Sequence, residues 1–392
     1  MNYKTYPIAD LIDEIAMGPF GSNIKVDCFV DKGIPVLNGS NLEGFELSEK
    51  SFRYVTEEKA DSLKKANAYK GDVVITHRGT LGQIVYIPQT AQRDRYVISQ
   101  SQFRVKCNKK VLPEYFVYYF HTPIGQHKLL SNASQVGVPA LARPSSTFQK
   151  IEIEIPDLET QRKVVKLIGS LQTRIKTNAE INDNLADLLQ TIYQGRFGND
   201  ILAVNQGVLS DICSYSTDKV AVSELNVRTY FSTENMLSGK AGSTEATSLP
   251  TTSQTTACHK GDTLISNIRP YFKKIVYCED KCGCSTDVLC FTPSQPCYSA
   301  YLFSTLYADK FFAFMVAGSK GTKMPRGDKQ QIMTYPVVLP SEEELAGFNT
   351  IASPLLEQIY SNRAENKRLS ILRDTLLPKL MSGEINVSAI QL

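Results

Sequence analysis

Six of the nine cysteines, Cys258, Cys278, Cys282, Cys284, Cys290 and Cys297, crowd into one segment of this 392-residue chain, and thiolates at such density can hold zinc. Their spacing argues against it. The run Cys278-x3-Cys282-x-Cys284 is not a standard zinc knuckle, so these side chains are expected to pack as small hydrophobes, with no bound metal. A second possibility for chemistry is the carboxylate pair Asp157 and Glu159 within Pro156–Lys163, which superficially suggests a nuclease. It stands where a helical pattern begins, and acidic residues are favoured there by the helix dipole. The segment Gly318-Ser319-Lys320-Gly321-Thr322-Lys323 lacks the spacing of a phosphate-binding loop. Neither a Gly-x-Ser-x-Gly elbow, a His-Glu-x-x-His helix, nor an Asn/Asp-Pro-Pro-Tyr/Phe methylation motif occurs. Four histidines, His77, His121, His127 and His259, leave little for general-base work. A non-catalytic chain is expected.

Composition is that of an ordinary globular protein: 42% hydrophobic and 21% charged residues, with a net charge of +3. That balance is too small to indicate nucleic acid by itself. No apolar run is long enough to span a membrane. The opening Met1-Asn2-Tyr3-Lys4-Thr5 has no signal-peptide character. A cytoplasmic protein with free thiols is expected.

The elements that would position any site are duplicated. Tyr69-Lys70-Gly71-Asp72-Val73-Val74-Ile75 is echoed by His259-Lys260-Gly261-Asp262-Thr263-Leu264-Ile265, and Ile84-Val85-Tyr86 by Ile275-Val276-Tyr277. The helical run Pro113–Phe120 is echoed by Ser299–Leu306. Each copy ends in a heptad ladder. The first runs Val164, Leu171, Asn178, Leu185, Ile192, flanked by Ile168, Ile175, Asn182, Leu189. The second runs Phe348, Leu355, Asn362, Leu369, Leu376, flanked by Ala352, Ile359, Asn366, Arg373. A single offset of 184 residues, as from Val164 to Phe348, relates every pair.

Heptad spacing places these residues on one stripe that demands a partner helix. Asp157 and Ser341 are the expected N-caps, Ser341 with Glu344 as a capping box. Gly195 and Gly383 are the expected stops, and Pro378 should kink or end the second helix. The fold expected is α+β: two mixed α/β domains separated by two long helices that form an antiparallel coiled coil, with an internal pseudo-twofold repeat. The boundaries expected are 1–156 and 198–340 for the domains, and 157–197 and 341–392 for the helices. The coiled-coil interface is expected at Val164, Leu171, Ile175, Asn178, Leu185, Ile192, Leu355, Ile359, Asn362, Leu369 and Leu376. Asn178 and Asn362 either fix register in the seam or face solvent. Within the domains, short helices are expected at Thr56–Ala66 and Pro113–Leu130, and a flexible surface loop at 238–257.

Wording within this frame resembles the specificity subunits of Type I restriction–modification systems. Gly18-Pro19-Phe20-Gly21-Ser22 with Gly33-Ile34-Pro35-Val36-Leu37 is similar to the opening of a target-recognition domain in that family. Lys70-Gly71-Asp72, Arg78-Gly79-Thr80-Leu81-Gly82, Ser99-Gln100-Ser101-Gln102 and the ending Leu377–Ile385 are similar as well. The second copy departs from this wording between Asn267 and Lys274.

The resemblance implies two target-recognition domains, each reading half of a bipartite site in double-stranded DNA, with the paired helices as spacer. It implies two methyltransferase subunits docked on the helices, and two restriction subunits recruited through the complex. S-adenosylmethionine, ATP and Mg²⁺ would belong to those partners, and this chain would need no cofactor. Under that reading the DNA-facing candidates are Arg78, Thr80, Arg93, Arg95, Gln100 and Gln102 in the first copy. In the second they are Asn267, Arg269, Tyr271, Lys273 and Lys274, with the basic stretch Lys320, Lys323, Arg326 and Lys329.

Overall fold

A computed structural model describes residues 3–19, 23–131, 133–134, 138–198 and 205–387. The chain divides into two compact units, Met1–Ile175 with Arg368–Leu392, and Lys176–Lys367. Three kinds of sheet recur in both units, and the first unit has a further ribbon, Ala133–Ser134 with Ala140–Leu141. In the first unit a four-stranded antiparallel sheet has the order Ile12–Met17, Gln102–Cys107, Asp72–Thr76, Ile84–Tyr86. The second unit repeats that order with Cys213–Tyr215, Val288–Pro293, Thr263–Ser266 and Ile275–Tyr277. Asp72–Thr76 and Thr263–Ser266 are buried throughout, as central strands covered on both faces must be.

The second sheet also has a shared core. Ile34–Val36 runs parallel to Arg95–Val97, which pairs antiparallel with Asn67–Tyr69. In the other unit Tyr230–Phe231 runs parallel to Cys282–Cys284, which pairs antiparallel with Gln254–Cys258. The fourth strand differs. Arg53–Val55 extends the first unit's sheet beyond Ile34–Val36, whereas Lys219–Ala221 extends the second beyond Gln254–Cys258. The third sheet is a ribbon, Lys4–Pro7 with Glu152–Ile155, and Gln206–Val208 with Pro336–Val338.

The Lys-Gly-Asp motif is a turn in both units. Asp72 Oδ2 accepts from the Tyr69 N–H at 3.0 Å, and Asp262 Oδ2 from the His259 N–H at 2.8 Å. The intervening Gly71 and Gly261 have φ of 89° and 93°, which explains the glycine.

Local chemistry modifies three expectations. The helical run from Pro113 breaks into Pro113–Phe120 and Pro123–Leu130, because Pro123 has no N–H to continue the first helix and Thr122 caps the second through Gly125 N. Thr56 caps a shorter α-helix, Glu57–Ser62, followed by a single 3-10 turn at Lys64–Ala66. The expected loop at 238–257 ends early: Gln254–Cys258 is an interior strand with Thr255, Ala257 and Cys258 buried.

Two helices of 40 residues, Leu158–Phe197 and Glu342–Met381, carry the heptad ladders. Asp157 Oδ1 accepts from Thr160 N at 2.9 Å, and this bond holds its carboxyl below the ordinary value. The acidic residue is thus a cap. Ser341 and Glu344 exchange bonds as a capping box, Ser341 N to Glu344 Oε2 at 2.8 Å and Glu344 N to Ser341 Oγ at 3.3 Å. The expected stops need correction. Gly195 lies inside the first helix, which continues to Phe197. Pro378 does not end the second helix either, since it sits in the last turn and only one bond is forfeited. Pro354 is also helical, leaving the Thr350 carbonyl without its usual donor. Gly383, with φ of 76°, follows the end of the helix as expected.

Within each unit the two helices pair antiparallel. In the first unit Val164 and Ile168 share a core with Leu377, Leu380 and Met381. In the second, Leu189, Tyr193 and Phe197 share one with Leu345, Phe348, Ala352 and Leu356. The asparagines lie in the seam. Asn178 is 1% exposed and donates to Glu365 Oε2 at 2.7 Å and Asn366 Oδ1 at 2.9 Å. Asn362 is buried and donates to Asn182 Oδ1 at 2.9 Å. The expected ladder is not evenly buried. Val164, Asn178, Ile359 and Asn362 are buried, while Leu171, Ile175, Leu185, Ile192, Leu355, Leu369 and Leu376 are half-buried. Several flanking residues go deeper, because the helix-helix contact is centred between the two ladders.

Candidate nucleic-acid interface

Three segments distant in sequence converge at one end of the central strand in each unit, held by three backbone bonds. In the first unit His77 N donates to Ser101 O, Gly79 N to Pro139 O and Leu141 N to His77 O, each at 2.9 Å. In the second, Asn267 N donates to Asp287 O at 2.8 Å, Arg269 N to Pro325 O at 2.7 Å and Gly327 N to Asn267 O at 3.3 Å. The bonds correspond one to one. Gly79 has φ of 88°, and Arg269, its counterpart, has φ of 52°. The left-handed region is natural for glycine but strains arginine by about 1–2 kcal/mol. Such strain is found where a site over-determines the backbone.

Side chains on this frame differ between the units. Arg78, Thr80 and Gln100 are exposed around the first frame. Arg269 and Tyr271 are exposed on the second, together with Lys323. Among the described residues, the side chains of Arg78, Arg269 and Lys323 have neither a hydrogen bond nor an ion pair. Other cations are tied down. Lys273 pairs with Asp309 at 2.9 Å, Lys320 with Asp328 at 2.6 Å and Arg326 with Asp287 at 3.0 Å. Lys329 Nζ lies 5.9 Å from the Tyr215 ring centroid.

Some candidates are placed elsewhere. Gln102 is 1% exposed and its Oε1 accepts from Ser99 N at 2.9 Å, so it cannot face DNA. Its strand position opposite Thr76 turns the side chain inward. Asn267 is also buried, as part of the frame's floor. Lys274 donates to Thr233 O at 2.6 Å, and burial pulls its amine below the ordinary value. Arg93 and Arg95 lie at the opposite end of the strand Arg95–Val97 from Gln100, and Arg95 is held by Asp61 at 2.7 Å and Asn67 at 2.9 Å. The first unit's candidates therefore form two groups.

Residues 5–186 match the family model of the Type I restriction modification DNA specificity domain. The specificity subunit of the MjaIX Type I restriction enzyme of Methanocaldococcus jannaschii is 21% identical over 96% of this chain and 92% of its own length. That of the HindI enzyme of Haemophilus influenzae is 26% identical over 39% of this chain and 33% of its own. The crystal structure of a Type I restriction–modification S subunit from M. genitalium is similar in fold, with a TM-score of 0.57 at 16% identity, covering 97% of this chain and 96% of that one. Type I restriction–modification specificity subunits are thus what the chain is similar to, through the family model over residues 5–186 and through the M. jannaschii relative over 96% of this chain.

The frames carry features that sequence reading missed. Val138 and Met324 each directly precede the frame proline and are 56% and 50% exposed. Their common signal is the proline alone. Arg143, exposed with φ of 47°, precedes the helix Pro144–Gln149 two residues after Leu141. No pattern in the sequence marks it.

The thiol cluster lies elsewhere in the second unit. Cys258, Cys278, Cys282, Cys284 and Cys290 pack with Met236, Leu264, Val276 and Val288, while Cys297 is exposed. Hydrogen bonding within the cluster, from Cys278 first, holds the Cys258 thiol well above its ordinary value. Among the described residues no three or more His, Cys, Asp or Glu side chains are arranged to hold a metal ion. No helix among them is long and apolar enough to cross a membrane.

Proposed function

We propose that each unit of this specificity subunit reads one half of a bipartite site in double-stranded DNA through its three-segment frame. The observation that carries this reading is the pair of frames, identical in backbone bonding and different in side chains. Equal frames would dock equally on a duplex. Different side chains, His77-Arg78-Gly79-Thr80 against Asn267-Ile268-Arg269-Pro270, would select different bases. Phosphate contacts fix register while base-edge contacts give sequence. Unpaired guanidinium groups at Arg78 and Arg269 suit the O6 and N7 acceptors of guanine, a bidentate contact that discriminates by about 1–3 kcal/mol.

The long helices serve as spacer and as the docking site for two methyltransferase subunits, and two restriction subunits join the complex. A helix of 40 residues spans about 60 Å, enough to separate half-sites by more than one duplex turn. The chain itself is non-catalytic and acts in the cytoplasm. It takes no cofactor, with S-adenosylmethionine, ATP and Mg²⁺ bound by its partners.

Arg78→Ala and Arg269→Ala test the reading. Each is expected to relax selectivity in one half-site and leave the other intact. Unchanged selectivity in both variants would reject the two frames as readers.

A further inference from the structure

Beside Arg269 lies a cleft of about 610 Å³ whose lining includes Ile268, Phe272 and Met324 together with Lys274 and Asn235. Met324 is 50% and Phe272 38% exposed, so both offer apolar surface beside unpaired Arg269. Glu234, Glu245 and Asp287 also line the cleft, but Glu245 pairs with Arg228 and Lys367, and Asp287 with Arg326. That leaves Arg269 and Lys323, which is next to Met324, as cations without an ion pair at its rim. Two cations without ion pairs beside one carboxylate without one, Glu234, favour a polyanion over an apolar protein surface as the occupant. The major-groove edge of a duplex offers one prominent apolar group, the 5-methyl of thymine.

We infer that Met324, with Phe272 behind it, reads a thymine methyl group in the second unit's half-site, next to the base contacted by Arg269. This rests on the half-site reading above and adds to it a specific base and a specific contact. The place of Met324 in the frame supports the assignment. The Pro325 carbonyl that follows it accepts the Arg269 N–H, so one bond holds the backbones of the Met324 and Arg269 segments together. The first unit has Val138 at the equivalent place, before Pro139, and it too is more than half exposed. An apolar side chain thus recurs before the shared frame proline, where the side chains at His77, Arg78, Gly79 and Thr80 are replaced by those of Asn267, Ile268, Arg269 and Pro270.

The test uses the full chain co-purified with its methyltransferase subunits and a duplex carrying their methylation motif. Each thymine of the second unit's half-site is replaced singly by deoxyuridine, which removes only the methyl group. One such replacement is expected to weaken binding about fourfold, the worth of one buried methyl. Met324→Ala should weaken binding to the thymine duplex and respond no further to that replacement. Met324→Gln, which keeps the length and removes the apolar surface, should behave alike, so a folding defect in one variant leaves the other to decide.

Indifference of the wild type to every deoxyuridine replacement would overturn the inference, as would a half-site without thymine. An undiminished response in both variants would assign the methyl contact to another residue and overturn it as well. These failures leave a bipartite motif intact. Failure of the half-site reading itself would show as no bipartite motif at all.

Discussion

The amide of Arg269 donates to the carbonyl of Pro325 at 2.7 Å, and in doing so keeps an arginine in the left-handed backbone that Gly79 occupies in the other unit. Under the proposed half-site reading, stability and recognition are therefore opposed at this residue. Arg269→Gly removes the strain and should stabilise the protein by about 1 kcal/mol. The same change should abolish discrimination at one base of the second half-site. Thermal unfolding and competition binding on mismatched duplexes measure the two effects. A destabilised glycine variant would show that the left-handed backbone carries no strain.

Buried asparagines fix the helix pairing. Asn362→Ala strands Asn182 Oδ1 and the Gln358 amide, which donates to Asn362 Oδ1 at 2.7 Å. Leaving the buried Asn182 oxygen unpaired should cost about 1–3 kcal/mol. Replacing Asn362 and Asn182 together with leucine should recover most of that, because the buried acceptor is removed and the Gln358 amide that loses its partner is exposed to water. A double-mutant cycle on unfolding free energies checks it, and strictly additive losses would mean the two residues are not coupled.

Arg104 is a structural cation in the first unit. It is 5% exposed and binds Asp72 at 3.3 Å and Glu14 at 3.1 Å. Burial pushes the Asp72 carboxyl up, against the Tyr69 N–H and the Arg104 charge. Arg104→Met leaves that carboxylate buried and unpaired, which should cost about 3–5 kcal/mol. Asp72→Asn in the same chain should return part of the loss. The register places Cys290 at the equivalent site of the second unit, where its thiol meets Asp262 Oδ2 at 3.2 Å. Urea unfolding of the two variants settles the sign, and a loss below about 1 kcal/mol would contradict the assignment.

Acid should loosen the first unit through histidine. Burial lowers the pKa of His121 from its ordinary 6.5, and its Nε2 lies 2.8 Å from Ile84 O. The unfolded chain then takes up the proton before the folded one does. Stability is full above pH 6.5 and falls as the pH drops below that value toward the depressed folded pKa. His121→Gln should flatten the melting temperature between neutral and mildly acidic pH, leaving the part due to His77, also lowered by burial. Parallel pH profiles for the variant and the parent would exclude His121 as the source.

The helices and the repeat were legible because a heptad stripe and a constant offset are local patterns with few explanations. The frames were not, because they form from backbone bonds among segments such as His77, Ser101 and Pro139, whose side chains share no signature. Arg269 carries no sign of its left-handed backbone, since the glycine that marks the turn in the first unit is absent from the second. Gln102 read as a polar candidate, yet strand alternation turned it inward. The basic stretch from Lys320 to Lys329 read as free charge, whereas ion pairs hold Lys320 and Arg326. Sequence shows which residues are cationic. Only the fold shows which of them are unpaired.

Methylome sequencing of DNA from cells that co-express this chain with its methyltransferase subunit tests the central claim most directly. The account predicts a methylated motif of two defined halves around an unspecified gap, present only with this chain and altered in one half by Arg269→Ala. A single continuous motif, or none despite a stable complex, would contradict it.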